Sequence, residues 1–143
     1  MRLSYALVAE AFALDRFTNR MSIFNIIDQF QVHSDPTIEA VSLPHLCVIL
    51  QWRVDPEDHD QDFQVKLIAT QPGMERKEQF INFKGRKDSR THRILHMFTD
   101  LRITKVGDLQ IEVQLNGREE DNLVIPIEQA FSIPPRGGFF TTH

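Results

Sequence analysis

From Asp108 to Asn116 the chain alternates without a fault. Leu109, Ile111, Val113 and Leu115 are apolar, and Asp108, Gln110, Glu112, Gln114 and Asn116 are polar. A period of two places the sets on opposite sides of an extended chain, so the segment predicts a strand with one buried and one wet face. After Asn116-Gly117 the apolar set Leu123, Ile125 and Ile127 resumes the pattern. Asn-Gly tolerates positive φ and turns a chain back on itself. A two-residue turn there, however, pairs Val113 with Glu120 and puts charge on the core face. Odd residues must face odd residues. That predicts a three-residue loop with a Gly bulge, or a longer loop over 116–122.

Other segments carry the same period. Leu46, Val48, Leu50, Trp52 and Val54 form one face of a strand over 45–54. Cys47 and Ile49 make the opposite face apolar too, which predicts a central strand covered on both sides in its first half. Phe63, Val65 and Leu67 alternate over 63–70 and stop at Gln71-Pro72-Gly73. Residues 79–84 form a short strand with Phe80 and Phe83, and 92–104 ends as strand. Near the N-terminus, apolar stretches 3–14 and 21–32 are joined by Asp15-Arg16-Phe17-Thr18-Asn19-Arg20. Ile23, Ile26, Ile27 and Phe30 fit helical spacing, but the Thr18-Asn19 connection is a turn signal. The reading is two strands and a hairpin, with helix over 21–30 as the alternative. Residues 33–44 read as loop. The tail 133–143, rich in Pro and Gly, has no period.

About eight short strands separated by turn signals predict an all-β chain. The expected architecture is an antiparallel β-sandwich, immunoglobulin-like or C2-like. Its single domain spans 1–132 and the tail spans 133–143. A length of 143 residues fits one domain with a core of its own. The only cysteine is Cys47, which excludes an internal disulfide and a thiolate metal site and points to a reducing, cytoplasmic setting. A net charge of −4 argues against a dedicated nucleic-acid binder. No window approaches a membrane span, so no membrane partner is expected. Leu3–Ala9 followed by Ala11-Phe12-Ala13 superficially suggests a secretory leader, but the run is short and Glu10 interrupts it.

The order of these segments is familiar. SYALVAEAFALDRFTNRMSIFNIIDQF, then VILQW, then GDLQIEVQLNG together resemble a small bacterial family of all-β single-domain proteins of unknown function. The resemblance covers roughly Leu3–Ile127. It implies the N-terminal hairpin rather than the helix, and it brings no activity, cofactor or site residue.

Four groups of residues are candidates for chemistry. Asp55, Glu57, Asp58, Asp60 and Asp62 crowd one loop with His59. Clustered carboxylates on an inter-strand loop suit Ca²⁺ in C2-like domains, although the EF-hand pattern is absent. The plainer reading is a solvated acidic turn. Lys84, Arg86, Lys87, Arg90 and Arg93 form a basic stretch fit for phosphate or nucleic acid, without interleaved aromatics for base stacking. The acidic and basic loops are also complementary enough to pair between subunits. His45 and Cys47 share a strand face, but a lone cysteine in an apolar run behaves as a small hydrophobe. Phe139 and Phe140 follow Gly137-Gly138 and suit docking on a partner or on the chain's own core. No nucleotide-binding, hydrolase or zinc-protease motif occurs. The expectation is a non-enzymatic binding or assembly module without a cofactor. Its partner is a protein, with homo-oligomers possible. Calcium binding at 55–62 is the first alternative, and phosphate or nucleic-acid binding at 84–93 the second.

Overall fold

The computed structural model describes residues 1–33, 41–43, 46–99, 101–103 and 106–130. Among these lie eleven strands: β1 Arg2–Leu14, β2 Met21–Ile26, β3 Phe30–His33, β4 Val41–Leu43, β5 Leu46–Arg53, β6 Asp62–Thr70, β7 Lys77–Lys84, β8 Thr91–Phe98, β9 Leu101–Ile103, β10 Gly107–Leu115 and β11 Arg118–Ala130. One 3-10 turn, Pro56–Asp58, is the only helical piece among the described residues. The chain is all-β, and 21–30 contains strand rather than helix. The expected eight strands become eleven because two segments read as continuous are broken. Residues 21–32 split into β2 and β3, and 92–104 into β8 and β9. Within the expected loop 33–44, Val41–Leu43 forms the short β4.

One sheet has the order β2-β1-β5-β8 and another β3-β11-β10-β6-β7, with β4-β9 as a two-stranded addition. The pairing is antiparallel with one exception. β3 runs parallel to β11, with Phe30 opposite Ile127, which corrects the purely antiparallel expectation. The two larger sheets share one core. Leu46, Val48, Leu50 and Trp52 from β5 and Ile94 from β8 meet Val65, Leu67, Leu109, Ile111, Val113 and Ile127 from the other sheet. These are the alternating apolar sets read from the sequence.

β5 is apolar on both faces, and both are covered. Its inner face enters the shared core. On its outer face Cys47 and Ile49, with Ala9 beside them, are fully buried in a second cluster with Leu7, Phe12, Met21, Ile23 and Leu95. Phe12, Met21 and Ile23 belong to the far part of the β1–β2 hairpin. The Arg93 guanidinium on β8 donates to the Asn19 carbonyl at the hairpin tip, at 3.4 Å. The hairpin therefore folds back across the outer face of its own sheet. Pairing of β1 with β5 ends at Ala9, while pairing with β2 continues to Leu14. Beyond Ala9 the hairpin is free of the sheet edge and bends over it. Asn25 takes a positive φ of 54° beside this point, and the cross-strand pair it would make with Glu10 is missing from an otherwise regular ladder. Such an irregularity bends and twists a strand.

The β10–β11 hairpin solves its parity problem by an unexpected route. Asn116 and Gly117 have φ of 49° and 83°, as a two-residue type I′ turn requires. Leu115 is opposite Arg118 and Gln114 opposite Glu119, but Val113 is opposite Asp121. Glu120 is the extra residue of a bulge. From there odd faces odd: Ile111 with Leu123, Leu109 with Ile125, Gly107 with Ile127. The expected register holds, but the expected three-residue or longer loop does not. The tight turn is tolerated because Arg118, at the end of the sheet, keeps its side chain largely in solvent and bonds Glu120 at 2.8 Å. Asn116 also clamps the turn to β6. Its N–H donates to the Gln64 carbonyl, and its side-chain oxygen accepts from the Gln64 N–H, both at 2.9 Å.

Candidate functional site

The acidic loop joins β5 to β6 and the basic loop joins β7 to β8. Because β6 and β7 are paired, Asp62 lies opposite Lys84 and the two loops are neighbours. Backbone bonds knit them together: Asp60 N–H to the Gly85 carbonyl at 2.8 Å, and Gly85 N–H to the Gln61 carbonyl at 3.0 Å. Gly85 is required at this crossing. A Cβ there would sit 2.1 Å from the Asp58 carbonyl oxygen.

The carboxylates expected to surround a cation turn to separate partners. Asp58 is buried, pairs with the Met1 amino group at 2.5 Å and accepts the Asp55 N–H at 2.9 Å. Burial alone would raise its pKa. The hydrogen bond from the Met1 ammonium, the Asp55 N–H and the ammonium charge outweigh burial and hold the carboxyl below its ordinary value. Asp55 pairs with Arg2 at 3.3 Å, and Asp60 with Lys87 at 2.9 Å. The Lys87 hydrogen bond lowers the Asp60 carboxyl and in return raises the lysine. Asp62 lies 3.8 Å from Lys84. Glu57 sits exposed in the 3-10 turn. No three His, Cys, Asp or Glu side chains among the described residues converge as a metal site would need.

The basic stretch is dispersed in the same way. Lys84 and Lys87 pair with the acidic loop, and Arg86 with Asp88 at 3.0 Å. Arg93 reaches the hairpin tip. The two loops thus neutralise each other within one chain, where pairing between subunits was the sequence reading. One cation of the set, Arg90, keeps no side-chain partner among the described residues, and neither does Arg53 at the end of β5. Both line an open cleft of about 480 Å³ between the loops, together with Asp55, His59, Lys87 and Asp88. Sequence reading missed Arg53 because it looks like the polar end of a strand. Only the pairing of β5 with β8, which sets Arg53 opposite Thr91, brings it to the basic loop.

Cys47 and two of the histidines are engaged in packing. Cys47 is buried, and burial pushes its thiol up. Burial lowers His92 and His96 below the ordinary imidazole value, with the Arg86 charge adding to the effect at His92. His92 stacks on Phe83 at 4.1 Å and His96 meets Phe98 edge-on at 4.7 Å. His45, Phe139 and Phe140 lie outside the described residues, as does the tail 133–143.

One exposed apolar surface among the described residues was left unmarked by the sequence reading. The hairpin that covers Cys47 and Ile49 turns its other side outward, and that side carries Phe24 and Ile26, which are 50% and 57% exposed, with the fully exposed Phe17 at the tip. Ala11 and Ala13 extend it. The signal was Phe17, a phenylalanine in the middle of a polar turn. Asp15 holds that turn by accepting the Phe17 N–H at 2.8 Å, which lowers its own pKa.

The chain belongs to a family of unknown function (DUF6941), whose match spans residues 4–128. No curated protein matches the chain. No helix among the described residues is long and apolar enough to cross a membrane.

Proposed function

Starting from membership in that family, we propose that this protein is a non-enzymatic assembly module that packs the outer side of its β1–β2 hairpin against a second copy of itself. The carrying observation is the exposed set Phe17, Phe24 and Ile26. Clustered exposed side chains of this size mark interaction surfaces, whereas apolar residues scattered singly do not. The charges argue for a second copy. Arg16 and Arg20 outnumber Asp15 at the hairpin tip, Glu10 and Asp28 lie near its base, and β2 between them is uncharged. Two hairpins laid antiparallel across a two-fold axis set each tip against the other's base, so cations meet anions on both sides of the apolar patch. Buried Cys47 and the ring-packed His92 and His96 support a role without catalysis. The shared core supports a sandwich, immunoglobulin-like or C2-like, and the unpaired thiol supports a cytoplasmic setting.

Light scattering across a concentration series tests the reading. Dimer is expected for the native chain, with Phe17→Ser/Phe24→Ser shifting it to monomer. Arg20→Glu is expected to weaken the dimer, and adding Glu10→Arg to restore it. A native chain that stays monomeric at millimolar concentration overturns the proposal.

A further inference from the structure

The cleft between the two loops is built like an anion site, although its acidic wall was the part of the sequence that looked fit for a cation. Its two carboxylates are already committed: Asp55 is held by Arg2 and Asp88 by Arg86. Lys87 is spent on Asp60. What remains uncompensated is the pair Arg53 and Arg90. Their backbones are locked together, since Val54 N–H, the residue after Arg53, donates to the Arg90 carbonyl at 2.8 Å. The turn carrying Arg90 is fixed from the other side. The Ser89 hydroxyl donates to the Thr91 carbonyl at 2.6 Å and accepts the Thr91 N–H.

We propose that Arg53 and Arg90 bind a phosphate group carried by a small molecule in the cleft of about 480 Å³ between the two loops. A guanidinium presents paired N–H donors to two oxygens of one anion. A terminal phosphate has three free oxygens and close to two negative charges at neutral pH, so it satisfies two arginines at once. A carboxylate has one charge and saturates one. A nucleic acid fits poorly, because Glu57, Asp60 and Asp62 flank the cleft and repel a polyanion, and the loops offer no run of aromatic stacking platforms. The site lies on the loop end of the body and does not depend on the hairpin surface.

Titration calorimetry with inorganic phosphate at constant ionic strength is the test, with acetate and a short single-stranded oligonucleotide as parallel arms. Saturable phosphate binding is expected, of about millimolar Kd for so small a probe. Arg53→Ala and Arg90→Ala should each weaken it roughly tenfold, the value of one lost charge-assisted contact. Arg53→Lys should keep part of it, and Arg76→Ala, whose side chain pairs with Glu78 at the far end of β7, should leave it unchanged. Both arginines are exposed, so an unchanged melting temperature confirms that the variants fold. The proposal is overturned if phosphate does not saturate, if the alanine variants bind it equally well, or if acetate binds as tightly. Oligonucleotide binding that grows with length and outruns phosphate also overturns it.

Discussion

The two long hairpins of this protein use nearly the same physics and arrive at different ends. In β10–β11 one face is apolar and the other polar, and a single core takes the apolar face. In β1–β2 both faces are apolar in their outer half. One face covers Cys47 and Ile49, and the other is left to solvent. A period-two pattern with polar partners therefore defines a complete element. A pattern without them leaves a second apolar face, which in the proposal made above a second copy covers.

The sharpest break of this comparison is a matched pair of truncations. Ile111→Ala on β10, fully buried, should lose about 2–5 kcal/mol of stability in urea unfolding. Phe24→Ser on the open face of β2 should stay within about 0.5 kcal/mol and change only self-association. Equal losses would mean that the two hairpins are equally integrated. A smaller effect is expected on the covered side of the hairpin. Phe12→Ala, half-buried over the second cluster, should cost about 1–2 kcal/mol. It should also make Cys47 react faster with an aromatic disulfide reagent, while Phe24→Ser leaves that rate alone. An unchanged Cys47 rate in Phe12→Ala would show that the hairpin is not its cover.

The smallest effect is in pH dependence, and it belongs to the body rather than to the arm. Burial lowers the folded-state pKa of His92 and His96. The unfolded chain then binds protons more readily, and stability rises with pH between the folded value and about 6.5. Their contribution is complete above about 6.5 and is lost as pH falls through the lowered folded values. Asp58, also lowered, adds a second loss at more acidic pH, below its unfolded value of 3.8. Replacing both histidines with phenylalanine should flatten the first slope in melting curves taken from about pH 8 to 2 and leave the acid limb of Asp58 in place.

Strand identity was legible wherever alternation was strict. β5, β6 and β10 lie where their apolar sets put them, and the double-sided coverage of β5 followed from Cys47 and Ile49 alone. The odd-to-odd register was also legible, because burying Glu120 costs more than any turn preference returns. The bulge that delivers it was not, since a bulge and a longer loop restore parity equally well and differ only locally. The bend of the first hairpin depends on where β1 stops pairing with β5, a property of two strands separated by some thirty residues of chain. The candidate loops were legible as charges but not as partners. Reading Asp55 to Asp62 in isolation offers a solvated acidic turn or a cation site and no partner for either. It takes the β6–β7 pairing to bring Lys84 and Lys87 alongside, and the β5–β8 pairing to expose Arg53 as the charge left over.

The parallel pairing of Phe30 with Ile127 has a consequence in time rather than in space. It joins β3 to β11 across almost all the strands between them, so the sheet it closes must wait until β11 has been made. Contacts this distant in sequence carry a large loop-closure cost and slow folding. While the ribosome works, the first hairpin has no finished sheet to lie on, and both of its apolar faces are open. The nascent chain is then at its most association-prone. A stalled or truncated product lacking β11 should collect in aggregates through the open apolar faces of that hairpin.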